Sequence, residues 1–171
     1  MPKQPKALSR AHKHTKIENI SIFGAFARLA PVTLHFYSDA YLSAAKGLPC
    51  GMEFNPVRPY LVCHALELAL KAFLSLKGRT LTELARSLNH EITNLLAEAE
   101  KERLADFATL TREQRKELEK ASIYYSEKVF EYPAIGEAAR AYPQMPQIDL
   151  LIAAADALVN ALREPCLKAS A

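Results

Sequence analysis

Apolar residues recur along this chain at intervals of three and four, the spacing of helices buried on one side. Residues 17–30 are apolar at Ile17, Ile20, Phe23 and Phe26, with Gly24 weakening the run. Pro31 suits the first turn of a helix that reaches about Lys46, with Gly47 as its stop. Leu34, Tyr37, Tyr41, Leu42 and Ala45 form its apolar side. Asn55–Pro56 and Pro59 then mark residues 48–59 as a loop. Thr80 with Glu83, and Thr111 with Gln114, have the spacing of capping boxes that start helices. The first of these is a short helix to about Leu88, followed by one over 90–107, and the second opens a helix over 112–130. Residues 132–148 hold Pro133, Pro143 and Pro146 and read as an irregular connection. A last helix runs from about Ile148 to Leu162, and Pro165 is expected to block its extension.

The helix predicted from about Val57 to Lys77, closed by Gly78, has an unusual pattern. Within PYLVCHALELALKAFLSLKG the polar side chains His64, Glu67, Lys71 and Ser75 share one stripe, about 80° wide at 100° per residue. Every other face is apolar. Such a helix belongs at the centre of a fold, with one narrow wet edge. The architecture expected is a single all-α domain over residues 17–165, a bundle of four to five main helices.

Composition narrows the classes. The chain has 171 residues, half of them hydrophobic, with 5 Gly and no Trp, which suits one helical domain able to bury a core without staples. The net charge of +3 divides unevenly. Residues 1–16 carry Lys3, Lys6, Arg10, Lys13 and Lys16 and no acid, leaving 17 basic against 19 acidic residues beyond them. The folded part is thus near neutral behind a basic, flexible arm that is either solvated or able to touch nucleic acid. Cys50, Cys63 and Cys166 are odd in number and show no CxxC pairing, which points to a reducing compartment. No continuous apolar run approaches a bilayer's span and no apolar segment of signal-peptide type follows the basic start, so the expected location is cytoplasmic, away from membranes.

Phosphate-loop, dinucleotide, zinc-protease and nucleophile-elbow signatures are all missing, and no cofactor or metal is expected. Two constellations stand out. His64, Glu67 and Lys71 share the polar edge of the central helix. Glu67 and Lys71 have the spacing of an ordinary helix ion pair, worth a few tenths of a kcal/mol if exposed. A buried stripe instead needs partners from another helix, a ligand or a second subunit. Lys71 on the same face disfavours a metal there. The second constellation is Arg86 with His90 and Glu91: a histidine at a helix start suits a neutral base, and Arg86 could hold an anion. Its plainer role is a helix-junction histidine bonded to backbone. Tyr124, Tyr125, Lys128 and Tyr132 add an aromatic–basic cluster that either stacks bases or packs at the core's edge.

The run Pro59–Gly78, followed by HEITNLLAEAE from His90 to Glu100, resembles the HEPN superfamily, and DAYLSAA (Asp39–Ala45) is similar to the preceding helix of that group. The likeness covers roughly residues 35–160. The resemblance implies an up-and-down bundle, commonly dimeric, found as ribonuclease toxins, in antiphage systems, and as non-catalytic modules that bind nucleotides or partners. Its ribonucleases carry Arg, four to six residues, then His; here only three residues separate Arg86 from His90. The leading expectation is therefore a non-catalytic module binding a protein partner, nucleotide or RNA through His64, Glu67, Lys71, Tyr125 and Lys128. A nucleotidyltransferase-type antitoxin is one such partner, and a second copy of the chain another. The alternative is a metal-independent ribonuclease toxin, with His90 as acid/base and Arg86 stabilising charge.

Overall fold

A computed structural model of the chain describes residues 11–49, 55–87, 90–132 and 145–171, and of residues 11–28 and 87 the backbone alone. The described residues form six α-helices and one 3-10 turn, with no strand among them. Lys3, Lys6 and Arg10 of the basic arm, Cys50, and most of the proline-rich connection lie outside them.

Helix α1 runs unbroken from Ala11 to Gly47, so Lys13 and Lys16 are helical and Pro31 lies inside the helix rather than at its start. A proline there removes one backbone donor and crowds the preceding turn. Burial offsets this: Pro31, His35, Ser38, Leu42 and Ala45 repeat at intervals of four and three and are all buried. That face meets α2 (Val57–Leu76), which lies antiparallel to α1. Ser38 Oγ donates to the Ala65 carbonyl over 2.6 Å, and Arg58 Nε to that of Ala45 over 3.2 Å. His35 Nε2 donates to the Val159 carbonyl over 2.7 Å, which ties α1 to the last helix.

As its pattern requires, α2 is central: it packs against α1, α4, α5 and α6, and Val62, Cys63, Leu66, Leu70 and Phe73 along it are fully buried. By length and average composition α2 would suffice to cross a membrane, but 61% of that stretch is inside the fold. It ends at Gly78, whose φ of +92° needs a glycine. The amides of Gly78 and Arg79 turn back to the carbonyls of Ser75 and Leu74, a Schellman ending.

Helix α3 (Leu81–Ser87) starts on the expected pairing of Thr80 with Glu83. Helix α4 (Ile92–Lys101) is shorter than its apolar pattern predicts. The chain turns at Arg103, which adopts a left-handed φ of 64°, and a 3-10 turn at Leu104–Asp106 buries Leu104. Helix α5 (Arg112–Ser126) begins with the complete Thr111/Gln114 capping box and stops four residues short of the predicted end. Its ending repeats the Schellman pattern, with Lys128 rather than glycine in the left-handed position.

Helix α6 (Ile148–Ala169) passes through Pro165 instead of stopping before it. Cys166 extends the buried stripe one turn beyond Leu162, and that burial carries the helix past the missing amide. At its other end, the Gln147 amide donates to Glu117 of α5 over 2.8 Å. Cys63 and Cys166 are buried free thiols. Burial pushes the Cys63 thiol well up and that of Cys166 to about 11, so neither is a ready nucleophile.

Candidate functional site

Glu67 is the buried charge at the middle of α2, only 1% exposed. Four polar side chains surround it, drawn from three parts of the chain. Lys71, one turn later on α2, donates to Oε1. Tyr125 of α5 donates its hydroxyl to Oε2 over 2.6 Å. His90, between α3 and α4, sets Nδ1 at 3.2 Å from both oxygens. His64, one turn earlier on α2, sets Nδ1 at 2.7 Å from the Tyr125 oxygen. Its distance to Glu67 Oε2 is 3.6 Å, beyond hydrogen-bonding range.

Burial alone would raise the Glu67 pKa. The nearby His64 imidazole, the hydrogen bonds from Lys71 and Tyr125, and the Lys71 charge together outweigh burial and hold the carboxyl at about 2. The same surroundings keep Tyr125 neutral: burial, the Glu67 charge and the hydrogen bond to Glu67 all raise its pKa.

An ionised carboxylate only accepts, so His90 Nδ1 must carry a hydrogen. Tyr125 has one hydroxyl hydrogen and places it on Glu67, so His64 Nδ1 must donate to the phenolic oxygen. When neutral, both imidazoles are therefore Nδ1–H tautomers with a lone pair on Nε2. Neither Nε2 has a hydrogen-bond partner among the described residues. Among the described residues, no buried side-chain nitrogen or oxygen is left unpaired. The His90 side chain is 56% exposed and that of His64 22%.

Aromatic rings wall the cluster. Tyr41 of α1 meets His64 edge-on with ring centres 4.4 Å apart. Tyr60 lies parallel to His64 within 5°, its ring centre 5.9 Å away. Tyr125 lies between the two histidines, at 6.4 Å from His64 and 6.2 Å from His90.

His64, Glu67, Lys71, Tyr125 and His90 thus meet at one place, which joins His90 of the second constellation to the whole of the first. The stripe is not wet along its length, because Glu67 is buried. Arg86 is exposed, and no hydrogen bond or ion pair joins it to His90 or Glu67 among the described residues. Lys128 is exposed at the left-handed turn after α5, where its backbone ends the helix. Among the described residues, no group of three or more His, Cys, Asp or Glu side chains is arranged to hold a metal ion.

No family model, curated protein or solved structure matches this chain. Tyr41 and Tyr60 escape a reading of single motifs, yet Tyr60 carried a signal: it precedes His64 by one helical turn and continues the polar stripe of α2.

Proposed function

We propose that this chain is a HEPN-like, up-and-down helical module that binds a nucleotide or RNA at the Glu67 cluster. In this reading it acts in the cytoplasm, self-associates, and serves with a protein partner in a toxin–antitoxin or antiphage setting. The carrying observation is the placement of His90. Lys71 and Tyr125 already supply one donor to each Glu67 oxygen, so the buried carboxylate does not need His90 for its own satisfaction. His90 nonetheless holds Nδ1 on that carboxylate while its ring remains open to solvent. That arrangement fixes a ring for use by a ligand.

Calorimetric titration of the full chain with AMP, ATP and short single-stranded RNA tests the reading. It predicts saturable binding that His90→Ala weakens. No binding of any of the three would reject it.

RNA cleavage is the second reading, and the His90–Glu67 contact favours it. A carboxylate on Nδ1 orients an imidazole so that Nε2 can accept a proton. Arg86 would have to approach the substrate from its exposed position. Incubation with total RNA, beside a His90→Ala control, tests this reading, and intact RNA with the wild type rejects it.

A further inference from the structure

The proposed nucleotide or RNA site leaves open which end of the ligand it holds, base or phosphate. The surroundings of the two imidazoles bear on that choice. Lys71 is engaged by the ionised Glu67, so its charge is already balanced inside the site. The Tyr125 hydroxyl is likewise spent on Glu67. With neutral imidazoles, the two Nε2 lone pairs are acceptors with no hydrogen-bond partner among the described residues. A phosphate brings only acceptors, which these two lone pairs would repel. A flat ring bearing N–H groups brings what these lone pairs lack. The walls also suit a flat ring, since Tyr60 and His64 present nearly parallel faces and Tyr41 closes the edge of His64.

We infer that the cluster recognises the amino edge of a nucleobase, such as adenine or cytosine, through the Nε2 lone pairs of His64 and His90 beside the Tyr41 and Tyr60 rings. This rests on the nucleotide or RNA reading and specifies it. Tyr125 is the positioning residue. By accepting from His64 Nδ1 and donating to Glu67, it passes the carboxylate's demand for a hydrogen on to the second histidine. One buried carboxylate thereby sets the tautomer of both rings.

The groups facing the two imidazoles are Tyr41 from α1, Tyr60, Glu67 and Lys71 from α2, and Tyr125 from α5. Protonating either imidazole converts its Nε2 from acceptor to donor. Protonation of the imidazoles therefore opposes base binding, whereas it would favour phosphate.

The test is titration of the full chain, near neutral pH, with adenosine, N6,N6-dimethyladenosine, ribose 5-phosphate and inorganic phosphate. AMP and a short oligoadenylate distinguish a free nucleotide from a strand as the source of the base. Adenosine is expected to bind, with the dimethyl compound, which lacks both amino hydrogens, about a hundredfold weaker. His64→Phe, which keeps a flat ring and removes one of the two acceptors, should weaken adenosine about tenfold. Equal binding of adenosine and its dimethyl form overturns the inference. So does binding of phosphate and AMP without adenosine, although that result keeps the nucleotide reading. Failure of every ligand removes both.

Discussion

Tyr125 of α5 donates its hydroxyl hydrogen to Glu67 of α2 over 2.6 Å, and both residues are buried. This bond joins two helices that are far apart in sequence and completes the surroundings of a buried charge. Removing one member of such a set costs more than removing an exposed pair, because the remaining charge stays desolvated. Glu67→Ala should lose about 3–5 kcal/mol of stability, read by urea unfolding. The double variant Glu67→Met/Lys71→Met should recover most of that loss, since no uncompensated charge then remains.

Acid sensitivity follows from the same carboxylate. Its pKa falls from an ordinary 4.5 to about 2 on folding. A lowered carboxyl pKa contributes stability above the unfolded value and loses it as pH drops toward the folded one. Glu67 should thus contribute about 3 kcal/mol above pH 4.5, and that contribution should vanish between about pH 4.5 and 2. Glu67→Gln should flatten this limb of the stability profile, and an unchanged acid limb would count against the network.

Two helix ends offer a matched backbone comparison. Gly78 and Lys128 occupy equivalent left-handed positions, at φ of 92° and 60°. An added Cβ at Gly78 would meet nothing within 4 Å, so strain there is conformational only. Gly78→Ala should destabilise by about 1 kcal/mol and Lys128→Gly should stabilise by about 0.5 kcal/mol. Thermal unfolding of the two variants reads both signs.

Pro165 sits within α6, where it leaves one carbonyl of the preceding turn without its helical donor. Pro165→Ala restores that donor and should raise stability by about 1 kcal/mol, tempered by the freer unfolded chain. A loss of stability would mean that the ring's own contacts outweigh the bond.

The helical class, the central place of α2 and both capping boxes were legible in the sequence because spacing and local hydrogen bonding decide them. The continuity of α1 and α6 was not. Pro31 and Pro165 read locally as a start and a stop, but Ala30 and Pro31 are buried with the face that follows them, and Leu162 and Cys166 are buried on either side of Pro165, which overrides that preference. The early end of α4 turns on Arg103, a residue type that gives no local warning of a left-handed turn. At the site, His64, Glu67 and Lys71 could be grouped from one helix face alone. Their meeting with His90 and Tyr125 depends on how α4 and α5 pack, which no spacing along α2 contains.

The most direct measurement is the long-range ¹H–¹⁵N NMR correlation pattern of the His64 and His90 rings in the full chain, at a pH where both are neutral. Buried Glu67 acting directly on His90, and through Tyr125 on His64, predicts that both rings are Nδ1–H tautomers. It also predicts that Tyr125→Phe releases His64 while leaving His90 unchanged. Either ring appearing as the Nε2–H tautomer in the wild type would contradict the account.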